Sequence, residues 1–275
     1  MAHVFDATTG AAMPKTGGAR WLALRTVRNL RKGLSWAWLD TVCQYRRSKI
    51  GPLWETINVL VMTLGMTVVS SAVIGGSVTS LIGYVGLGII IWSAITALVL
   101  DGSMTFVRNR EYILASNLSI DFYVGRTIFR ALITFCHHLV LYFIAVAVGL
   151  VSLHWVGLLA IPGILLLFAN GYWVVTLFAL VCARFRDIEL IIRNLLQLAF
   201  FVTPVFWDYR QVPKSRAFIV DYNVLFYFVE IVRAPLLGEV PPIGHYLVVL
   251  AVTLIGFSLA YAAYRRMRRR LAFFV

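Results

Sequence analysis

The sequence predicts an all-α integral membrane protein with six transmembrane helices, an N-terminal interfacial amphipathic helix, a re-entrant external helix pair between spans five and six, and both termini cytoplasmic. Three observations lead there. A mean hydropathy of +0.84, with 60% hydrophobic and 13% charged residues, is too apolar for a domain whose surface must meet water. Residues 56–100, 131–183 and 240–264 carry no Asp, Glu, Lys or Arg, and a charge at mid-membrane costs roughly 2.5–3.5 kcal/mol on insertion scales. Finally, of the 25 Lys and Arg, nine precede the first span, four lie in 101–130, three in 184–193 and five in 265–270, an asymmetry that marks the cytoplasmic side.

Residues 1–18, rich in Gly, Ala and Thr, read as a loose tail. Residues 19–54 read as a cytoplasmic interfacial collar. Over 19–32, Trp21, Leu24, Val27 and Leu30 alternate with arginines, as in a basic helix lying on a membrane. A second helix follows, with Leu34, Trp38, Val42 and Tyr45 at helical spacing, and Gly51-Pro52 breaks it. The membrane domain is 55–275. Its first uncharged block divides at Gly75-Gly76-Ser77 into spans 57–74 and 83–101. The second block gives spans 131–151 and 156–182 around a turn near Ser152 to Trp155, and the third gives 243–264.

By length alone, residues 194–207 fit either a re-entrant segment or part of a span. With both termini inside, the number of crossings must be even, so residues 188–207 cross once, with Glu189 and Arg193 paired at i,i+4 near the inner end. Residues 208–239 then lie outside. They balance four basic with four acidic residues, and their apolar part, 217–237, reads as interfacial or re-entrant, since a net crossing there would place the terminal arginines outside.

The N-terminus lacks the apolar core of a signal peptide. Cys43, Cys136 and Cys182 are odd in number, lack metal spacing and fall on the reducing side, so no disulfide is expected. The formal charge of +13 fits positive-inside bias and anionic lipid; nucleic acid is a poor partner for so apolar a chain. No phosphate-binding loop, H-E-x-x-H or G-x-S-x-G occurs.

Four polar or aromatic groups within or beside the spans carry candidate chemistry. His137 and His138 sit in the third span, where a polar side chain is either functional or hydrogen-bonded to a neighbouring helix. Trp92, Trp155, Trp173 and Trp207 can stack on sugar rings or serve as anchors. Glu230 and Arg233, one turn apart beside Tyr227, read as an external gate or as part of a lid that merely caps the bundle. The charges Arg184, Arg186, Asp187 and Glu189 gather around Phe185 directly after the longest uncharged block.

Three segments, QYRRSKIGPLWETINVL (44–60), ARFRDIELIIRNLLQLAFFVTPVFW (183–207) and YNVLFYFVEIVRAPLLG (222–238), together resemble the permease subunits of type-2 ABC transporters that export O-antigen, capsule and teichoic-acid polysaccharides. LASNLSIDFYVGRTIFRALITFCHH (114–138) is similar to O-antigen-type members. One departure is Asn223-Val224, where the family commonly has Asn-Pro.

The resemblance implies a homodimer in the bacterial inner membrane, bound to two ABC ATPase subunits that hold the ATP and Mg. The chain itself then needs no cofactor and is not an enzyme. The substrate implied is an undecaprenyl-diphosphate-linked polysaccharide. Arg184, Phe185, Arg186, Asp187 and Glu189 become the ATPase-coupling knob. Tyr45, Arg46, Arg47 and Arg193 become candidates to meet the lipid diphosphate, and the spans starting near 57 and 188 line the path. The rival readings are a membrane-embedded glycosyl- or acyltransferase and a drug or small-lipid exporter of the same permease type.

Overall fold

The computed structural model describes residues 32–44, 46, 49–51, 53–115 and 118–267. The expected tail, most of the basic helix over 19–32, Tyr45, Arg47 and the last three arginines lie outside the described residues. Helix α1 covers residues 32–44. It is followed by α2 (Leu53–Ile74), α3 (Val78–Ser103), α4 (Thr105–Arg108), α5 (Arg110–Ala115) and α6 (Ile120–Ala147). The remaining helices are α7 (Ala160–Arg184), α8 (Ile188–Val202), α9 (Phe218–Asp221), α10 (Val224–Leu236) and α11 (Ile243–Met267), and no strand occurs among the described residues.

Among the described residues, five helical stretches are long and apolar enough to cross a membrane: α2, α3, α6, α7 with the 3-10 turn before it, and α11. The protein is thus a multi-pass membrane protein. The central pair is α3 and α7, which pack on each other and carry most of the core; α2, α6 and α11 surround them and leave much of their apolar surface outward. At one end, Asp40 of α1, Asp101 of α3 and Arg126 and Arg130 of α6 meet in ion pairs. This basic end contrasts with the opposite end, where the 203–207 segment and α10 pack against Tyr84, Ser70 and Tyr142.

Helix α1 turns its small residues inward. Gly33, Ala37 and Thr41, spaced at i, i+4 and i+8, are buried, and a Cβ on Gly33 would lie 3.2 Å from the Arg126 nitrogen. Leu34, Trp38 and Val42 are exposed, as suits a helix whose apolar face meets lipid. Asp40 accepts a two-point ion pair from Arg126, whose guanidinium also lies over Trp36.

Helix α8 has 15 residues, about 22 Å at 1.5 Å per residue, against a hydrocarbon core of about 30 Å. It stops because Pro204 disfavours helical geometry at the residue before it, and Thr203 is extended (φ −81°, ψ 135°). After the Thr203 amide makes the last helical bond, to Ala199, the segment 203–207 leaves the helix, yet four of its carbonyls find donors. Thr203 O accepts from Val205 N (2.7 Å), Pro204 O from Arg233 Nη1 (2.6 Å), Phe206 O from Ser70 Oγ (2.6 Å) and Trp207 O from Tyr84 Oη (3.2 Å). Irregular backbone at membrane depth is tolerated when protein satisfies it in this way.

Gly88 of α3 makes room for this segment: a Cβ there would run into the Val205 carbonyl oxygen. Gly88→Ala is therefore expected to cost about 1–3 kcal/mol, as overpacking against backbone does. Gly65→Ala on α2, where nothing lies within 4 Å, should be neutral or stabilise by roughly 0.5–1 kcal/mol. Thermal unfolding of both variants in detergent checks the contrast.

Helix α10 is embedded, with Phe226 and every residue from Phe228 to Pro235 buried against α3, α7 and α11. It is no surface lid. Asn223 caps its start, accepting from the amides of Leu225 (3.0 Å) and Phe226 (3.3 Å), so the helix begins cleanly without the family's proline.

Candidate functional site

A cavity of about 850 Å³ opens among α1, α2, α3, α6 and α8. Each helix lines it with a stripe at helical spacing. Glu55, Asn58, Met62 and Met66 come from α2; Trp92, Ser93, Thr96 and Asp101 from α3; Arg130, Thr134 and His138 from α6; and Arg193, Gln197 and Phe200 from α8. Charge gathers toward the basic end, hydroxyl and imidazole groups follow at mid-depth, and rings lie deeper along α8 and α3. Trp92 is buried edge-to-face on Phe200.

Asp101, Arg130 and Arg193 at the mouth are held by partners. Asp101 receives Arg130 (2.6 Å) from α6 and Arg108 (3.0 Å) from α4, and Arg193 pairs with Glu189. Arg126 also donates to Asn109 (2.9 Å), so the short α4–α5 elbow is tied to both α3 and α6. The sequence reading passed over this elbow and Arg130. The signal available was the cluster of Arg108, Arg110, Arg126 and Arg130 between two apolar blocks.

Beside the mouth, α7 and α8 are joined by a tight turn. Phe185 leaves the helical region (φ −130°, ψ 93°), and the amides of Ile188, Glu189 and Leu190 bond back to Phe185, Arg186 and Asp187. Arg184 in the last turn of α7 and Asp187 and Glu189 at the start of α8 complement the two helix dipoles. That accounts for these three charges locally. It does not account for Phe185, which is 53% exposed with the Arg184 guanidinium 5.1 Å from its ring, or for the exposed Arg186.

At the opposite end Glu230 and Arg233 form a buried pair, 2% and 0% exposed. Arg233 donates to Glu230 through Nη2 (2.6 Å) and Nε (3.1 Å), and its guanidinium stacks 3.8 Å from the Tyr84 ring centre. The Tyr209 hydroxyl donates to the second Glu230 oxygen (3.2 Å); burial, then the Glu230 charge, push this phenol up from its ordinary range. Tyr227 stands apart from the pair. Its hydroxyl donates to the Asp221 carbonyl and its ring meets His245.

The four tryptophans read as sugar-stacking candidates are not brought together, and Trp155 is exposed and lines neither of the two cavities that Trp92 and Trp173 border. Trp92 lines the polar cavity. Trp173 borders a separate apolar cavity of about 340 Å³ and donates to Asn170 (2.6 Å), while Trp207 donates to the Phe201 carbonyl (3.0 Å) at the opposite end. Arg46 is exposed, and it does not line the cavity as Arg193 does. His138 is hydrogen-bonded across helices to Ser93, and His137 bonds the Ile133 carbonyl of its own helix.

A search of curated proteins finds no significant match. The profile of the ABC-2 type transporter family, by contrast, matches residues 35–237, well over half the chain, running from α1 through the buried α10 and taking in both the cavity and the α7–α8 turn. Members of that family are membrane permease subunits that lack an ATP site and work with ABC ATPase partners. An all-helical multi-pass bundle whose loops project charge at one end has the form such a subunit requires, and the chain belongs to the ABC-2 type transporter family.

Proposed function

We propose that the protein is the permease of an ATP-driven exporter, working as a homodimer with two ATPase subunits, and that it moves an undecaprenyl-diphosphate-linked polysaccharide such as O-antigen outward across a bacterial inner membrane. The observation that carries this reading is the cavity, polar at its mouth and lined with neutral hydrogen-bonding and aromatic side chains deeper in. Neither a drug nor a simple lipid needs so many hydrogen-bonding groups, whereas a sugar chain does.

On this reading the basic end is cytoplasmic, and α8 with the satisfied 203–207 segment makes the sixth crossing. The exposed apolar faces of α2 and α8 beside the cavity, among them Val61, Val68, Leu195 and Leu198, meet the second copy and close a conduit too wide for one bundle. Phe185, Arg186 and Asp187 dock on the ATPase, with the α4–α5 elbow beside them. Arg193, together with Arg46 and Arg47, meets the lipid diphosphate at the mouth, and the Glu230–Arg233 clasp closes the exit.

The substrate is tested by ATP hydrolysis of the reconstituted complex. A lipid-linked glycan is expected to stimulate turnover several-fold while hydrophobic drugs leave it unchanged. Stimulation by drugs and not by the glycan would transfer the protein to the drug-exporter reading.

A further inference from the structure

Within the cavity, Ser93 Oγ lies 2.9 Å from His138 Nδ1 and 2.7 Å from the Ile90 carbonyl oxygen. A carbonyl oxygen cannot donate, so the single hydroxyl proton of Ser93 lies on its bond to Ile90. The ring must then donate from Nδ1, and in the neutral imidazole this leaves Nε2 as a bare acceptor. A doubly protonated ring would instead bury an unpaired N–H and its charge, which is costly. His138 is 4% exposed, and its Nε2 has no partner among the described residues.

Thr96, one turn from Ser93 on α3, also lines the cavity, and its hydroxyl likewise has no partner. Other threonines of the bundle bond the carbonyl four residues back: Thr67 to Thr63, Thr176 to Tyr172 and Thr253 to Val249. Thr96 does not. The cavity wall thus holds one fixed acceptor and one hydroxyl able both to donate and to accept. Both residues line the cavity while these two atoms are themselves closed to water, and buried polar atoms are normally satisfied, so they call for a visiting group that displaces part of the wall.

The chemistry of that visitor is constrained. A lone pair on Nε2 repels an anion, and the arginines at the mouth are engaged by Asp101 and Glu189. Asp101 and Arg130 sit eight residues from Ser93 and His138 along their helices, about 12 Å away at 1.5 Å per residue. The flexible side chains of Met62 and Met66 line the same cavity and can move aside for a guest. Resting on the cavity as the substrate path, we propose that His138 Nε2 and Thr96 Oγ1 form a recognition point for a neutral sugar hydroxyl, separate from whatever binds the anionic end of the lipid.

The test uses the full chain alone in nanodiscs, with histidine labelled by nitrogen-15 and His138→Gln to assign the signal. The probes are octyl glucoside and its tetra-O-methyl ether, which share tail and ring and differ only in whether the head carries hydroxyls. The ring of His138 is expected as the Nδ1–H tautomer, with a bare Nε2 signal that moves on adding octyl glucoside and not the ether. Affinity for the glucoside should fall about fivefold to tenfold in His138→Phe and in Thr96→Val, the size of one hydrogen bond. An Nε2–H tautomer, an Nε2 signal unmoved by the glucoside, or equal affinity in wild type and Thr96→Val would overturn the assignment. Because no ATPase is present, the two readings fail separately: sugar binding without ATPase partnership sinks the exporter, and partnership without sugar binding sinks this site.

Discussion

Replacing Arg233 by alanine is expected to lower the stability of the folded chain by about 3–5 kcal/mol, because it strands Glu230 as a buried charge without its partner. Glu230 keeps only the Tyr209 hydroxyl once the guanidinium is gone. The same change takes the donor from the Pro204 carbonyl, an unmade bond costing about 1–3 kcal/mol when buried, and removes the cation from the Tyr84 ring. Glu230→Ala should be comparably harmful, since it leaves the arginine unpaired. Replacing both residues by methionine should recover part of the loss, for a well-packed apolar pair is often no worse than a buried ion pair. The Pro204 carbonyl would remain unsatisfied, so recovery stops short of wild type. Denaturant unfolding in detergent reads all three variants; single variants within about 0.5 kcal/mol of wild type, the range of ordinary surface changes, would show that the clasp does not hold α10 and the 203–207 segment.

The second large effect concerns the α7–α8 turn. Phe185→Ala is expected to weaken ATPase binding by about thirtyfold, the 2 kcal/mol typical of an aromatic interface anchor, while leaving the permease as stable as before because the ring is mostly exposed. Asp187→Arg should abolish binding by placing like charge in the contact. It also sets a cation at the first turn of α8, where the dipole disfavours one by about 0.3–1 kcal/mol. Asp187→Asn separates the two effects, since it removes the charge and keeps a side chain suited to a helix start. Titration of the purified ATPase into nanodisc-held permease gives the affinities, and thermal unfolding of each variant gives the control.

Most of the bundle was legible because charge and glycine punctuate it. The spans expected over 57–74 and 243–264 match α2 and α11 within a few residues, each bounded by glycine, proline or arginine. Helix α6 starts 11 residues before the expected 131. The uncharged block begins only after Arg130, but Arg126 and Arg130, paired with Asp40 and Asp101, sit within the helix. The span expected over 188–207 is helical only to Val202, an outcome contained in the rule that proline restricts its predecessor. Burial of α10 was hidden by the parity of crossings, which places a segment on a side of the membrane and is silent about its packing.

The site was less legible. The cavity stripes of α2, α3, α6 and α8 are readable one helix at a time, yet nothing in a single sequence says which stripes face one another. Ser93 and His138 lie 45 residues apart and become a pair only once α3 and α6 pack. Phe185 stands out without the fold because an aromatic residue amid four charges has no local reason to be there.

The role of that turn is tested most directly by co-expressing the tagged wild-type chain with its ABC ATPase partner and measuring the stoichiometry of what is purified in mild detergent. One ATPase per permease, lost in both Phe185→Ala and Asp187→Arg, is the expected result. A folded permease that carries no ATPase, or one that keeps it in both variants, would contradict the assignment of residues 184–189 as the coupling contact.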